Sequence, residues 1–170
     1  HLSIRRQRQM CIRDSDGSTD GTSEILEHFR GDPEIKVIHQ RENRGLGYAI
    51  RLALSQVTGE YVVIQDADME VDPFDLPAIL KPLLNKSSYV VYGSRFINGR
   101  NNSPLVGYIA NYLLSCLVNL LYNTQITDES TGYKAFATSL IKSVDLQCEG
   151  FEFCAEVTAK VLRMQHRIHE

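Results

Sequence analysis

The 170-residue chain is 43% hydrophobic and 23% charged, the balance of an ordinary globular protein with about one domain's worth of sequence. Its net charge of −3 hides an asymmetry: Arg5, Arg6, Arg8 and Arg13 face one acid in residues 1–14, leaving 14 basic against 20 acidic side chains over residues 15–170, which argues against general nucleic-acid binding. Cys11, Cys116, Cys148 and Cys154 form no C-x-x-C pair and have no histidine at zinc-finger spacing, so neither a disulfide framework nor a structural zinc site is indicated and a reducing, cytosolic compartment fits.

Residues 1–14 are basic and Gln-rich, lack the apolar run of a signal peptide, and are expected to be a non-native or disordered leader ahead of a folded domain over 15–170. From Thr22 onward helical and strand signals alternate, the pattern of an α/β fold with a mostly parallel central sheet. Thr22–Arg30 reads as a short helix with Ile25, Leu26 and Phe29 on one face, and Ile35–Gln40 as a strand. After a loop over Arg41–Gly45, Leu46, Ala49, Ile50, Ala53, Leu54 and Val57 follow helical spacing, with Gly59 as the expected cap. Tyr61–Ile64 is a continuous apolar run, as suits a central strand buried on both faces. Pro73 opens a helix over Phe74–Leu84, Tyr89–Tyr92 reads as a buried strand, and a loop covers Asn98–Pro104. Leu105–Asn123 is the most hydrophobic segment, yet Gly107, Asn111, Ser115, Asn119 and Asn123 recur at every fourth position. On a helix they gather into one stripe, so packing on the domain or lying at a membrane surface fits better than spanning a bilayer.

The acids carry the chemistry. Asp66-Ala67-Asp68 follows the apolar strand directly, where open α/β sheets place ligand sites. In extended backbone the two carboxylates point the same way, so they can share one hard divalent cation and leave its other positions to water and a diphosphate, with Glu70 completing the site. A second cluster, Asp14 to Thr22, ends at a helix start, where Asp20 or Thr22 can cap backbone amides and the turn also suits nucleoside recognition. Residues 16–27 also fit a twelve-residue calcium loop at several ligand positions, although Ser23 stands where an apolar residue is usual.

DGSTDGT (16–22), NRGLGYA (43–49), VVIQDADMEVDP (62–73), VVYGSRF (90–96) and TDESTGYKAF (127–136) occur in the order and spacing of family-two glycosyltransferases, and the chain resembles their dolichyl- and undecaprenyl-phosphate sugar transferases in particular. The resemblance implies a single GT-A domain, the Rossmann-like nucleotide-diphospho-sugar transferase fold, and an inverting, metal-dependent transfer. The donor would be a UDP- or GDP-linked sugar and the acceptor a polyprenyl phosphate, with Mg²⁺ or Mn²⁺ as cofactor. It places Asp16, Ser18, Asn43, Gly45 and Asp66 at the nucleotide, Asp66, Asp68 and Glu70 at the metal, and Arg95 and Lys134 near the acceptor phosphate. Such a phosphate, with a second pKa of about 6, needs no general base. A glycan hydroxyl, the alternative acceptor, does need one, and Asp128 is the candidate, with Glu129 behind it. Peripheral contact with the cytoplasmic face of a membrane is the expected location. Two departures stand out: Ser15 replaces an acid usual before Asp16, and the usual first strand is expected to be missing. A nucleotidyltransferase forming sugar nucleotides is disfavoured, because no Gly-rich triphosphate loop precedes Asp16.

Overall fold

The computed structural model describes residues 10–68, 70–97 and 105–170. Arg5, Arg6 and Arg8 and the loop expected over 98–104 therefore lie outside the described residues. The described chain divides into two compact units, one running to Gly59 and taking in Gln147–Phe151, the other made of Glu60–Leu146 and Glu152–Glu170.

In the first unit, β1 (Cys11–Asp16) lies parallel to β2 (Ile35–Gln40), with Cys11 opposite Ile35 and Asp16 opposite Gln40. This corrects the expectation that the first strand is missing and that all of 1–14 lies outside the fold. A ladder of backbone hydrogen bonds tolerates the polar sequence CIRDSD, because the Arg13 guanidinium stacks 4.2 Å over Phe29 and Asp14 accepts from Gln40 at 2.6 Å. Helix α1 (Thr22–Glu27) crosses between the strands and is shorter than expected, since the chain continues to Asp32 as tight turns. Helix α2 (Leu46–Gln56) buries Ile50 and Leu54 as its periodicity requires, and ends on Val57 rather than Gly59.

The start of α2 carries residues 147–151: Gly47 N–H donates to the Gly150 carbonyl at 3.2 Å and Tyr48 N–H to that of Glu149 at 3.1 Å. Such close approach needs a bare Cα at Gly47, where an added Cβ would run into the Cys148 carbonyl and lie 3.0 Å from its carbon. Gly47→Ala is therefore expected to destabilise by about 1–3 kcal/mol despite alanine's better helix propensity, read as a lower urea midpoint. A rise in the midpoint would show that the contact yields.

The second unit holds β3 (Tyr61–Ile64), a 3₁₀ turn at Pro73–Asp75, α3 (Leu76–Leu84), β4 (Val90–Tyr92), α4 (Leu105–Tyr122), β5 (Lys134–Ala137), α5 (Thr138–Ile141), α6 (Phe153–Arg163) and β6 (Ile168–His169). Its sheet runs β3-β5-β4-β6; β5 is antiparallel to both neighbours, and β6 is parallel to β4. The mostly parallel sheet expected thus resolves into a parallel pair in one unit and a mixed sheet in the other. The inner strands are β5 and β4, both fully buried, while β3 lies at the sheet edge and is half-buried along its length. One face of the sheet packs on α3 through Ile79, Leu83, Val91, Tyr133 and Ala135. Phe153, Val157 and Val161 of α6 are buried as well, and Tyr92 reaches Thr158 of that helix at 3.0 Å.

Helix α4 is inverted relative to an ordinary amphipathic helix. Its polar stripe faces the protein, with Asn111 and Ser115 buried, whereas Val106 is 80% and Leu120 81% exposed. Asn123, at φ 50°, ends it in the left-handed conformation common after helices.

Candidate active site

The strand pairing gathers the candidate residues of the second unit at one end of the sheet. Lys134 lies opposite Ile64 of β3 and opposite Tyr92 of β4, so the segments carrying Asp66–Asp68 and Gly93–Arg95 leave the sheet beside the start of β5. β6 runs parallel to β4 and delivers Glu170 to the same end.

Asp66 is half-buried and packs against the next turn of chain: an added Cβ at Gly132 would overlap its carboxylate. Burial is the main cause holding the Asp66 carboxyl above the usual carboxylate range, and the Asp68 charge reinforces it. Lys134 opposes the shift, Glu70 adds to it and Arg95 opposes it. Asp68 is exposed and accepts from Glu70 N–H at 2.9 Å, which shapes the loop. Two hard-oxygen donors whose like charges crowd one another fit a divalent cation. Glu70 does not complete the set as expected: its Oε2 pairs with Arg95 Nη1 at 2.6 Å, and no cluster of three His, Cys, Asp or Glu arranged for a metal occurs among the described residues.

Arg95 is the hub of the site. Its Nε donates to Asp128 Oδ2 and its Nη2 to Oδ1, both at 2.8 Å, and its own N–H also reaches Oδ2 at 3.0 Å. Asn111 Nδ2 supplies a fourth donor, to Oδ1 at 2.8 Å. Asp128 is 0% exposed, and its two oxygens are fully engaged by these bonds. The hydrogen bonds and charges of Asp128 and Glu70 hold the Arg95 guanidinium firmly protonated. This arrangement corrects the reading of Asp128 as a base: no lone pair is left to take a proton from a hydroxyl. Glu129 is equally buried, with one carboxylate oxygen unpartnered.

Lys134 is also corrected. At 1% exposure it lies beneath the surface, because all of β5 is buried, and it cannot touch an acceptor directly. Its Nζ donates to the carbonyls of Glu129 at 2.8 Å and Thr131 at 2.6 Å and stands over the Tyr92 ring. It thereby ties down the turn that backs Asp66.

In the first unit, Asp16 is a staple. Oδ1 accepts from Arg44 N–H at 2.8 Å and Oδ2 from Gly45 N–H at 2.7 Å, which holds the 43–45 loop against the end of β1. Gly45 has φ 92° and its Cα faces the Glu149 carbonyl, so the position demands glycine. Gly17, at φ 66°, is under the same demand beside Asn43. Ser18 is half-buried and Asn43 exposed. The calcium-loop reading of 16–27 fails on this geometry: Asp16 is spent as described, Asp20 accepts from Thr22, and Glu27 pairs with Arg30 and His39.

Two residues of the site were not foreseen. Asn111 carried a sequence signal, its place in the polar stripe. Glu170 carried none; its carboxylate accepts from the backbone N–H groups of Thr127 and Asp128 at 2.8–3.0 Å.

The paired acids after β3, the glycine-shaped turn after β1 and the Arg95 hub sit in an α/β chain whose residues 3–144 match the profile of Glycosyl transferase family 2. The chain belongs to that family. Its fold is the family's GT-A fold. Among relatives, it is 29% identical over 161 residues to the UDP-N-acetylglucosamine–dolichyl-phosphate N-acetylglucosaminyltransferase of Methanococcus voltae, covering 83% of this chain and 64% of that protein. It is 27% identical over 164 residues to the undecaprenyl-phosphate mannosyltransferase of Micrococcus luteus, covering 91% and 67%. A hexosyltransferase of Haloferax volcanii low-salt glycan biosynthesis matches at 28% over 146 residues, 84% of this chain but 34% of that protein, so the chain spans about a third to two thirds of these relatives. Among solved structures, the fold is similar to a mannosyltransferase of Pyrobaculum calidifontis in complex with GDP-Man and Mn²⁺, with TM-score 0.64 and 20% identity over 94% of this chain and 44% of that one. It is similar too to glucosyl-3-phosphoglycerate synthase of Mycobacterium tuberculosis with Mn²⁺, UDP-glucose and glycerol 3-phosphate, at TM-score 0.66 and 21% identity over 93% and 57%.

Proposed function

We propose that the chain serves the inverting transfer of a sugar from a UDP- or GDP-linked donor to a polyprenyl phosphate. The observation that carries this reading is the state of Asp128. A hydroxyl acceptor needs a base, and the sequence-derived candidate is buried with both oxygens engaged by Arg95 and Asn111. A phosphate acceptor arrives ionised and needs a cation instead, which Arg95 offers. Relatives whose names specify dolichyl and undecaprenyl phosphate support the same choice.

Asp66 and Asp68 would hold a divalent cation, Mg²⁺ or Mn²⁺. When bound, that ion neutralises charge on the departing nucleoside diphosphate. Asp16 and Ser18, with the Asn43–Gly45 loop, are assigned to the nucleoside. Arg95 orients the acceptor phosphate, one of whose oxygens attacks the anomeric carbon in line. The bond from that carbon to the diphosphate breaks, and the electron pair leaves with the nucleotide. Positioning and charge complementarity supply most of the acceleration. Lys134 acts from below by holding the turn behind Asp66, not by touching phosphate.

Peripheral contact with the cytoplasmic face of a membrane belongs to this proposal. Helix α4 is 18 residues long with mean hydropathy 1.5, enough by length and composition to cross a bilayer, but its polar stripe holds residues 126–130 of its own unit. Its outward leucines and the exposed Tyr112 suit a helix lying in the interface.

The test is transfer of radiolabelled sugar from UDP- and GDP-linked donors with Mn²⁺ to undecaprenyl phosphate in vesicles, beside a soluble glycan acceptor. Label in the organic-extractable lipid is expected. Label in the glycan alone, or in neither product, would overturn the proposal.

A further inference from the structure

We propose that Asn111 is a positioning residue that sets the Arg95 guanidinium through Asp128; its importance for the acceptor rests on the function proposed above, its geometry does not. The inward side chains of α4 read the backbone of 126–130 as a template. Asn119 exchanges two hydrogen bonds with Ile126, at 2.8 Å each, Ser115 Oγ accepts from Glu129 N–H at 3.1 Å, and Asn111 Oδ1 accepts from Ser130 N–H at 2.9 Å. Of these side chains, Asn111 also grips the functional carboxylate, its Nδ2 sharing Asp128 Oδ1 with Arg95 Nη2.

The orientation of its amide is dictated by its neighbours. Ser130 N–H needs an acceptor and the Asp128 carboxylate needs a donor, so the amide cannot flip without losing both. The backbone of Asp128 is held separately, by Glu170. Asn111 therefore governs the rotation of the carboxylate plane, and the plane governs the fork of Arg95, whose Nε and Nη2 bond one oxygen each. At 6% exposure Asn111 lies beneath the surface.

The experiment follows the Arg95 Nε–H signal by ¹H–¹⁵N NMR, assigned through its loss in Arg95→Lys, with titrations of farnesyl phosphate as a soluble prenyl monophosphate. Asn111→Leu is compared with Asn119→Leu, which also deletes two hydrogen bonds of the stripe but none to Asp128. The expected result is a moved Nε–H signal, at least tenfold faster exchange with water and about tenfold weaker farnesyl phosphate binding in Asn111→Leu alone. Asn111→Asp is a second route should the leucine variant not fold: it keeps an acceptor for Ser130 and turns a like charge on Asp128, so it too should shift Nε–H. An unmoved signal in the Asn111 variants, or an equal change in Asn119→Leu, would overturn the proposal. A moved signal with farnesyl phosphate binding untouched in Arg95→Lys would leave Asn111's positioning role standing and sink the acceptor reading instead.

Discussion

Asp66→Ala and Asp68→Ala are each expected to cut metal-dependent transfer by about two to four orders of magnitude, the several kcal/mol that a bound cation contributes at a developing charge. Asp66→Asn separates charge from shape. It retains the side-chain volume that Gly132 accommodates and removes one of the crowded charges. Because burial and the Asp68 charge raise the Asp66 carboxyl above the usual carboxylate range, its ionised form is disfavoured in the folded state. The sign follows from proton linkage: the folded chain binds the extra proton more tightly, so this contribution to stability is present below the unfolded pKa and is lost as pH rises through the higher folded one. At neutral pH the penalty of the ionised group is therefore in force, and Asp66→Asn should raise Tm without metal while abolishing the rise expected of the wild type with Mn²⁺. Thermal scans at pH 7 with and without Mn²⁺ read both effects. A variant that is less stable without metal, yet still stabilised by it, would place the cation elsewhere.

Asp128→Ala should destabilise by about 3–5 kcal/mol, because it leaves the Arg95 Nε–H and the Asn111 amide without their buried carboxylate partner. Paired replacement is informative. If desolvation is the main cost of the buried pair, Arg95→Met combined with Asp128→Leu should regain most of the stability while acceptor binding stays lost. Urea midpoints measure the first effect and farnesyl phosphate titration the second. A loss below about 1 kcal/mol for Asp128→Ala would mean that the pair behaves as a solvated surface bridge.

Much of this was legible in the sequence because it is local. The helix at Leu46–Gln56 and the strands at Ile35–Gln40 and Tyr61–Ile64 follow from periodicity and turn residues, and the ordered motifs pointed to the family whose profile the chain matches. What was not legible depends on pairings distant in sequence. Nothing in KAFA says that it enters antiparallel between two strands, yet that insertion buries Lys134 and corrects its expected contact with phosphate. The stripe at Asn111, Ser115 and Asn119 was visible, but periodicity gives a face without saying what meets it. Here the polar face meets backbone over 126–130 that belongs to no strand, and the usual burial of the apolar side is reversed. Likewise, β1 forms from a sequence of poor strand character because a parallel partner supplies its hydrogen bonds.

The central claim is a divalent-cation and nucleotide site on Asp66 and Asp68. Its most direct test is calorimetric titration of UDP and GDP into the chain with Mn²⁺, with EDTA in place of the metal, and into a folded Asp66→Ala, Asp68→Ala double variant. Binding of one nucleotide that requires Mn²⁺ and vanishes in the variant is the predicted result. Nucleotide binding that persists in EDTA, or in the double variant, would contradict it.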